Sequence, residues 1–282
     1  MNVGVSVPLP AYNVDVAFIA RTAEALGFES LWCAEHPIMP VQTTSRFPGA
    51  ADGVIPESYS HFVDPFVALA RASGVTTTMK LGTGIALVPE HNPLSLAKTI
   101  STLDLFSGGR FLFGIGTGWH REETTIMGGD FEHRWTQARE AILVMKELWT
   151  KPAAEFHGKY YEFPPVKSYP KPAQKPHPPV ILGGHAKNVL ERIVEWGDGW
   201  LPNRINPAEV ETSRGTLDAL ARRAGRNPSS ISISIFGQAP DRDLVRRFHD
   251  AGAHRVIIRP STAHSEAEMR VTLERIAEAV LR

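Results

Sequence analysis

The chain reads as an α/β protein, a TIM (β/α)8 barrel with insertions after strand 2 and before strand 5. Three observations predict this. Short β-branched runs alternate eight times with longer segments of helical periodicity, Asp-Pro or Asn-Pro pairs open three of the helices, and glycines cluster at the ends of three of the strands. At 282 residues with 43% hydrophobic content, the sequence suits one such domain over 1-282.

The elements follow in order. Val3 to Val7 is a β-branched run, and Val16, Ile19, Ala20, Ala23 and Leu26 then recur at helical spacing up to a stop at Gly27. Ser30 to Ala34 is the second strand, and Asp64-Pro65 opens the next helix with an N-cap and a proline where no N–H is needed. Lys80 to Ala86 is strand three, followed by a helix from Asn92-Pro93 to Gly108-Gly109 and by strand four from Arg110 to Ile115. Trp135, Ile142, Met145, Leu148 and Trp149 mark one long helix. Pro179 to Leu182 is strand five with Ala186 to Trp196 as its helix, and Gly199 to Leu201 is strand six. Asn206-Pro207 opens another helix, Ile231 to Phe236 alternates as strand seven, Asp241 to Ala251 is helical, and His254 to Ile258 is strand eight before a closing helix from Glu266 to Leu281. Parallel strands joined this way close into a barrel, which leaves no sheet edge unpaired.

Two connections are long. Pro37 to His61 follows strand two on the face that carries active sites in barrels and is a candidate lid. Lys151 to Pro179 is rich in proline around a hairpin, Glu155 to Phe163, and roots at the opposite end.

Thirty Lys and Arg balance thirty Asp and Glu, so no net field favours nucleic acid or an anionic membrane, and a small organic molecule is the expected partner. A single cysteine, Cys33, excludes an intrachain disulfide and a Cys-rich zinc site, and suits a reducing compartment. There is neither a leader pattern at Met1 nor a long apolar stretch, and a cytoplasmic location is the expectation.

Polar residues at strand C-terminal ends are the first candidates for chemistry. Glu35 and His36 end strand two. An imidazole that titrates near neutrality can exchange a proton with a ligand, and Glu35 beside it can orient it or accept a proton. Thr83, Gly84 and Ile85, then Gly116, Thr117, Gly118 and Trp119, then Gly183, Gly184 and His185 end strands three, four and five. Glycine there lets backbone approach a flat ring or a phosphate, or simply makes a tight turn. Gly114 to Gly118 has G-x-G-x-G spacing with Trp119 after it, which does not match a dinucleotide fingerprint. His91, His120 and His185 also follow strands; Trp32 reads as core, and Trp135, Trp149 and Trp196 as packing on helical stripes. A metal-dependent hydrolase would draw on His36, His120, His185, Glu35 and Glu122, but no compact ligand motif supports a metal site. A cofactor-free binding barrel is a further alternative.

Over nearly its whole length the chain resembles the luciferase-like monooxygenase family, which includes bacterial luciferase, alkanal and alkanesulfonate monooxygenases and deazaflavin-dependent reductases. The resemblance rests on KLGTGIALVPEHNPLSLAKTISTLDLFSGGRFLFGIGTGWHREE from Lys80 to Glu123, on SLWCAEH at Ser30 to His36 and on PPVILGG at Pro178 to Gly184. It implies an isoalloxazine or deazaflavin ring across the strand ends, a non-prolyl cis peptide matching Gly84-Ile85, and His36 near the reactive face of the ring. Thr117 stands where luciferase has a phosphate-binding arginine and His185 where it has a serine, which separates this chain from luciferase itself. GIGTGWHREE is similar to the actinobacterial branch assigned to coenzyme F420. The implied function is hydride transfer between coenzyme F420 and a small organic substrate, in a homodimer. The alternative is an FMN-dependent monooxygenase, since a deazaflavin carries hydride without activating oxygen.

Overall fold

The computed structural model describes residues 1–282. The first half of the chain runs β1 Asn2–Ser6, α1 Val16–Leu26, β2 Ser30–Cys33, α2 Pro65–Ser73, β3 Lys80–Thr83, β4 Ala86–Leu87, α3 Pro93–Phe106, β5 Phe111–Gly116, α4 Arg121–Ile126 and α5 Arg134–Thr150. An antiparallel pair follows, β6 Ala154–His157 and β7 Glu162–Val166. The rest is β8 Val180–Gly183, α6 Val189–Trp196, β9 Gly199–Leu201, α7 Pro207–Arg223, β10 Ser232–Gln238, α8 Arg242–Asp250, β11 Arg255–Ile258 and α9 Glu266–Val280.

The sheet runs β3-β2-β1-β11-β10-β9-β8-β5-β4, and a β3–β5 pairing closes it. β3 and β4 are two halves of one barrel strand: Leu81 and Gly82 face Phe111 and Leu112 of β5, and Ala86 and Leu87 face Ile115 and Gly116. Every pairing in this sheet is parallel, so the structure is the closed eight-stranded TIM barrel that the alternation predicted. The three helix starts marked by an Asp-Pro or Asn-Pro pair lie where the sequence placed them. Asp64 accepts from the Val67 amide, Asn92 from Leu94 and Ser95, and Asn206 forms a capping box with Glu209. Gly27 ends α1 at φ 95°, a conformation that favours glycine.

Three details differ from the sequence reading. The third strand, predicted as continuous to Ala86, is interrupted at Gly84–Ile85, where the non-prolyl cis peptide that the resemblance implied is present. The long helix marked by Trp135 to Trp149 is α5, but a short helix absent from the sequence reading, α4, precedes it, parted from it at Gly128–Gly129 with Gly128 at φ 86°. The helix after strand five starts at Val189, because residues 186–188 form a turn first.

Strand alternation separates two apolar regions. Outward side chains such as Leu31, Phe111, Phe113, Val180 and Val256 join the helices in a cluster of 59 buried residues. Inward ones form a second cluster of five, Trp32, Leu112, Ile181, Leu201 and Ile257, with Ile85 and Phe236 packed on it. Trp32 takes the space that a side chain at Gly82 would need: a Cβ there would lie 2.4 Å from its ring. Trp32 is therefore core, as its place inside a strand predicted.

The β6–β7 hairpin lies along α5, where Glu140 accepts the amides of Lys159, Tyr160 and Tyr161 at 3.1, 2.6 and 2.8 Å. None of residues 151–179 lines the cavity described next. No helix is long and apolar enough to cross a membrane.

Candidate active site

A cavity of about 740 Å³ opens at the C-terminal ends of the strands. It is the size of a typical small-molecule or cofactor site. Glu35, His36, Gly84, Ile85, Gly116, Thr117, Gly118, Trp119, Gly183, Gly184 and His185 all line it, as their strand-end positions predicted. Thr83 does not. Its side chain is fully buried, and its hydroxyl donates to the Gly114 carbonyl at 2.7 Å, which ties β3 to β5 beneath the cavity.

The floor is built around Ile85. A Cβ on Gly116 would lie 1.9 Å from Ile85 Cδ1, and one on Gly183 would lie 2.8 Å from Ile85 Cγ2. These two glycines therefore make room for a neighbouring side chain. Gly184 differs: nothing lies within 4 Å of its would-be Cβ, and its φ of 83° itself favours glycine. Its N–H donates to Leu201 O at 3.3 Å, so it is not the free anion-binding amide that the sequence suggested. The amides of His185, Ala186, Lys187 and Asn188 meet no protein acceptor, and Asn188 makes no side-chain cap for α6. Unpaired N–H groups leading into a helix suit a phosphate.

His36 and Glu35 both line the cavity, but their polar atoms turn to different partners, because successive residues at the end of an extended strand face opposite sides. Glu35 is not the partner of His36. Its oxygens accept the Leu87 amide at 2.6 Å and meet His91 Nε2 at 3.0 Å, fixing the 3-10 turn Val88–Glu90. His36 Nδ1 instead meets Glu123 Oε2 at 2.6 Å, and Trp119 Nε1 donates to His36 Nε2 at 3.3 Å. The indole N–H can only donate, so Nε2 is the acceptor there and Nδ1 is the nitrogen that donates to Glu123. Glu123 entered the sequence reading only as the end of the GIGTGWHREE motif, with no site role; it is 87 positions from His36 and fully buried on α4.

Behind this pair lies a third buried carboxyl, Glu90, whose Oε1 accepts from Thr124 Oγ1 at 3.0 Å and whose Oε2 has no partner. Burial, then the neighbouring charge of Glu123, pushes the Glu90 carboxyl up to about 8. His120 is also fully buried and lines nothing: its Nδ1 caps α4 by accepting the Glu123 amide at 3.1 Å, and burial pushes its imidazole down. His91 likewise serves Glu35 rather than the cavity.

The predicted lid covers His36. Phe47 and Tyr59, with Phe62 just beyond, pack around His36 and Trp119 at ring separations of 4.8 to 6.3 Å. Glu122 holds this loop, accepting from the Thr44 amide at 2.7 Å, Thr44 Oγ1 at 2.8 Å and Ser45 Oγ at 2.6 Å. The bond from Ser45 and those from Thr44 keep its carboxyl well below the usual carboxylate range. Glu122 thus anchors a loop, and although it comes within 3.5 Å of His120, the His and Glu donors considered for a metal do not converge: no three His, Cys, Asp or Glu side chains form a metal-binding group. Sequence reasoning also missed Arg134 and Trp135, which line the cavity from the first turn of α5. The helical stripe reads Trp135 as packing, and it does pack against the main core as well as lining the cavity.

The chain is 34% identical over 252 residues to the uncharacterized protein Rv0953c of Mycobacterium tuberculosis, covering 87% of this chain and 86% of that one. It is 26% identical over 238 residues to the F420-dependent hydroxymycolic acid dehydrogenase of the same organism, covering 82% and 61%. It is 29% identical over 168 residues to the FMNH2-dependent dimethylsulfone monooxygenase of Pseudomonas putida, covering 57% and 45%. The crystal structure of monooxygenase RslO1 from Streptomyces bottropensis shares the fold with a TM-score of 0.78 at 20% identity, over 100% of this chain and 99% of that one. Residues 9–244 match the luciferase-like monooxygenase family, and the chain belongs to that family.

Proposed function

We propose that the protein transfers hydride between a deazaflavin, coenzyme F420, and a small organic substrate, with His36 exchanging the accompanying proton. The observation that carries this reading is the His36–Glu123 pair at the cavity wall, 2.6 Å apart, which leaves His36 Nε2 facing Trp119, another residue that lines the cavity. The Nε2 lone pair receives only a long 3.3 Å bond from Trp119, which a substrate hydroxyl can displace. Once His36 takes that proton, the buried Glu123 carboxylate stabilises the imidazolium, as the carboxylate does in other His–carboxylate pairs.

The residues fit a flat tricyclic ring. Ile85 between Gly116 and Gly183 makes an apolar floor, and the amides of residues 185–188 can receive a phosphate. When bound, a deazaflavin supplies two-electron hydride chemistry without oxygen activation. The lid aromatics exclude water from His36, whose side chain is 7% exposed. Similarity to an F420-dependent dehydrogenase over 82% of the chain supports the cofactor. Cys33 is buried and its thiol pushed up to about 12 by burial and by Asp64, so it takes no part. Within this reading the protein is a cytoplasmic homodimer.

Titration of the purified protein with F420 and with FMN tests the cofactor. Tight FMN binding without F420 affinity would make the FMN-dependent monooxygenase the correct reading. His36→Ala is expected to lower turnover by about 10²–10⁴-fold while changing the cofactor dissociation constant only a few-fold. An unchanged rate would remove His36 from the chemistry.

A further inference from the structure

In barrel order, the three strand ends with glycine-rich loops, β3/β4, β5 and β8, form one arc, and the remaining ends form another, β9, β10, β11, β1 and β2. The second arc carries His36 and two arginines, Arg204 after β9 and Arg259 after β11, on either side of Phe236. Arg259 lies over the end of β10: a Cβ on Gly237 would sit 2.9 Å from its Nη2, and Gly237 is at φ 76°. Its guanidinium makes no hydrogen bond or ion pair with the protein, and Arg204 gives one N–H to the lid carbonyl of Pro48. Both charges act on Tyr59, where they oppose the upward push of burial on its hydroxyl, and the Tyr59 ring is 5.4 Å from that of His36.

Nothing acidic balances them. The only acidic residue lining the cavity is Glu35, and both its oxygens are occupied by Leu87 and His91. The chain as a whole is neutral, so this positive charge is a local property of the cavity rather than of the protein.

We propose that the substrate carries an anionic group, a carboxylate or a phosphate, which Arg259 receives together with Arg204 on the His36 side of the cavity. This rests on the reading above, in which the glycine arc serves the cofactor. A guanidinium with free N–H groups binds a planar or tetrahedral oxyanion in two-point fashion, which a lysine cannot reproduce.

The test uses inorganic phosphate and acetate as probes, titrated into F420-loaded protein at constant ionic strength and followed through the arginine Nε–H resonances. Arg259→Ala is expected to weaken binding of at least one probe about tenfold or more, and Arg259→Lys to weaken it less. F420 affinity, read by fluorescence, should stay within about twofold in both variants. Equal probe binding by wild type and Arg259→Ala would overturn the proposal, as would F420 affinity that falls in step with probe binding, which would give the arginine to the cofactor tail. Should the wild type bind no F420, the hydride-transfer reading fails by itself, and the same titration on the unloaded protein still decides whether Arg259 is an anion site.

Discussion

Glu90→Gln isolates the buried acid behind the His36–Glu123 pair. Glu90 is 3% exposed, and its Oε1 accepts from Thr124 Oγ1, which an amide oxygen can also do. The amide nitrogen would replace Oε2, which has no partner. The fold raises this carboxyl from 4.5 to about 8, burial being the larger cause and Glu123 the second. An acid raised in this way is more readily ionised in the unfolded chain. Its penalty on folding is absent below about pH 4.5, grows as pH rises, and levels off above about pH 8. Between pH 6 and pH 9 the wild type should therefore lose on the order of 2.5 kcal/mol relative to the variant, whose amide does not titrate. At roughly 2 °C per kcal/mol for a chain of this size, that is a relative drop of about 5 °C in melting temperature. Thermal melts of both proteins at pH 6, 7, 8 and 9 measure it directly. A wild-type-to-variant gap that stays constant over this range would mean that Glu90 is already ionised at pH 6, and the account of a protonated third carboxyl would be wrong.

Two further substitutions test the floor and the lid. Gly116→Ala places a methyl 1.9 Å from Ile85 Cδ1 and should cost about 1–3 kcal/mol of stability; adding Ile85→Ala should recover part of it, with a coupling of about 1 kcal/mol or more. Strictly additive melting shifts would show that the two residues do not compete for space. Glu122→Ala removes the acceptor of three lid bonds and should speed trypsin cleavage after Arg46 roughly tenfold, with barrel stability changed by no more than about 1 kcal/mol. An unchanged cleavage rate would place the lid's hold elsewhere.

What was legible in the sequence was local. Asp64-Pro65, Asn92-Pro93 and Asn206-Pro207 announce helix starts because cap and proline act within a few residues, and strand alternation follows from the pleat. The count of eight strands then put His36 and the glycine loops on one face before any contact was known. What was not legible depends on partners distant along the chain. Glu35 seemed the natural mate of His36 because they are neighbours, yet extended backbone turns neighbours apart, and the mate is Glu123. Glu122, one position from Glu123, faces the lid instead. Gly116 and Gly183 were read as ligand-facing, and only the packing of Ile85 reveals why no side chain fits there. Trp135 carries the periodicity of a packing residue, but the first turn of its helix rises to the cavity mouth.

The unequal division between the 59-residue outer cluster and the five-residue inner one has an evolutionary consequence. The large annulus that binds strands to helices contains most of the buried apolar surface, so it dominates resistance to unfolding. The small plug beneath Ile85 and Phe236 dominates the shape that a ligand meets. Descendants of such a chain can exchange a handful of inward side chains and acquire a new binding preference while the scaffold stays folded. Mutational tolerance and chemical novelty are therefore assigned to opposite sides of the same strands.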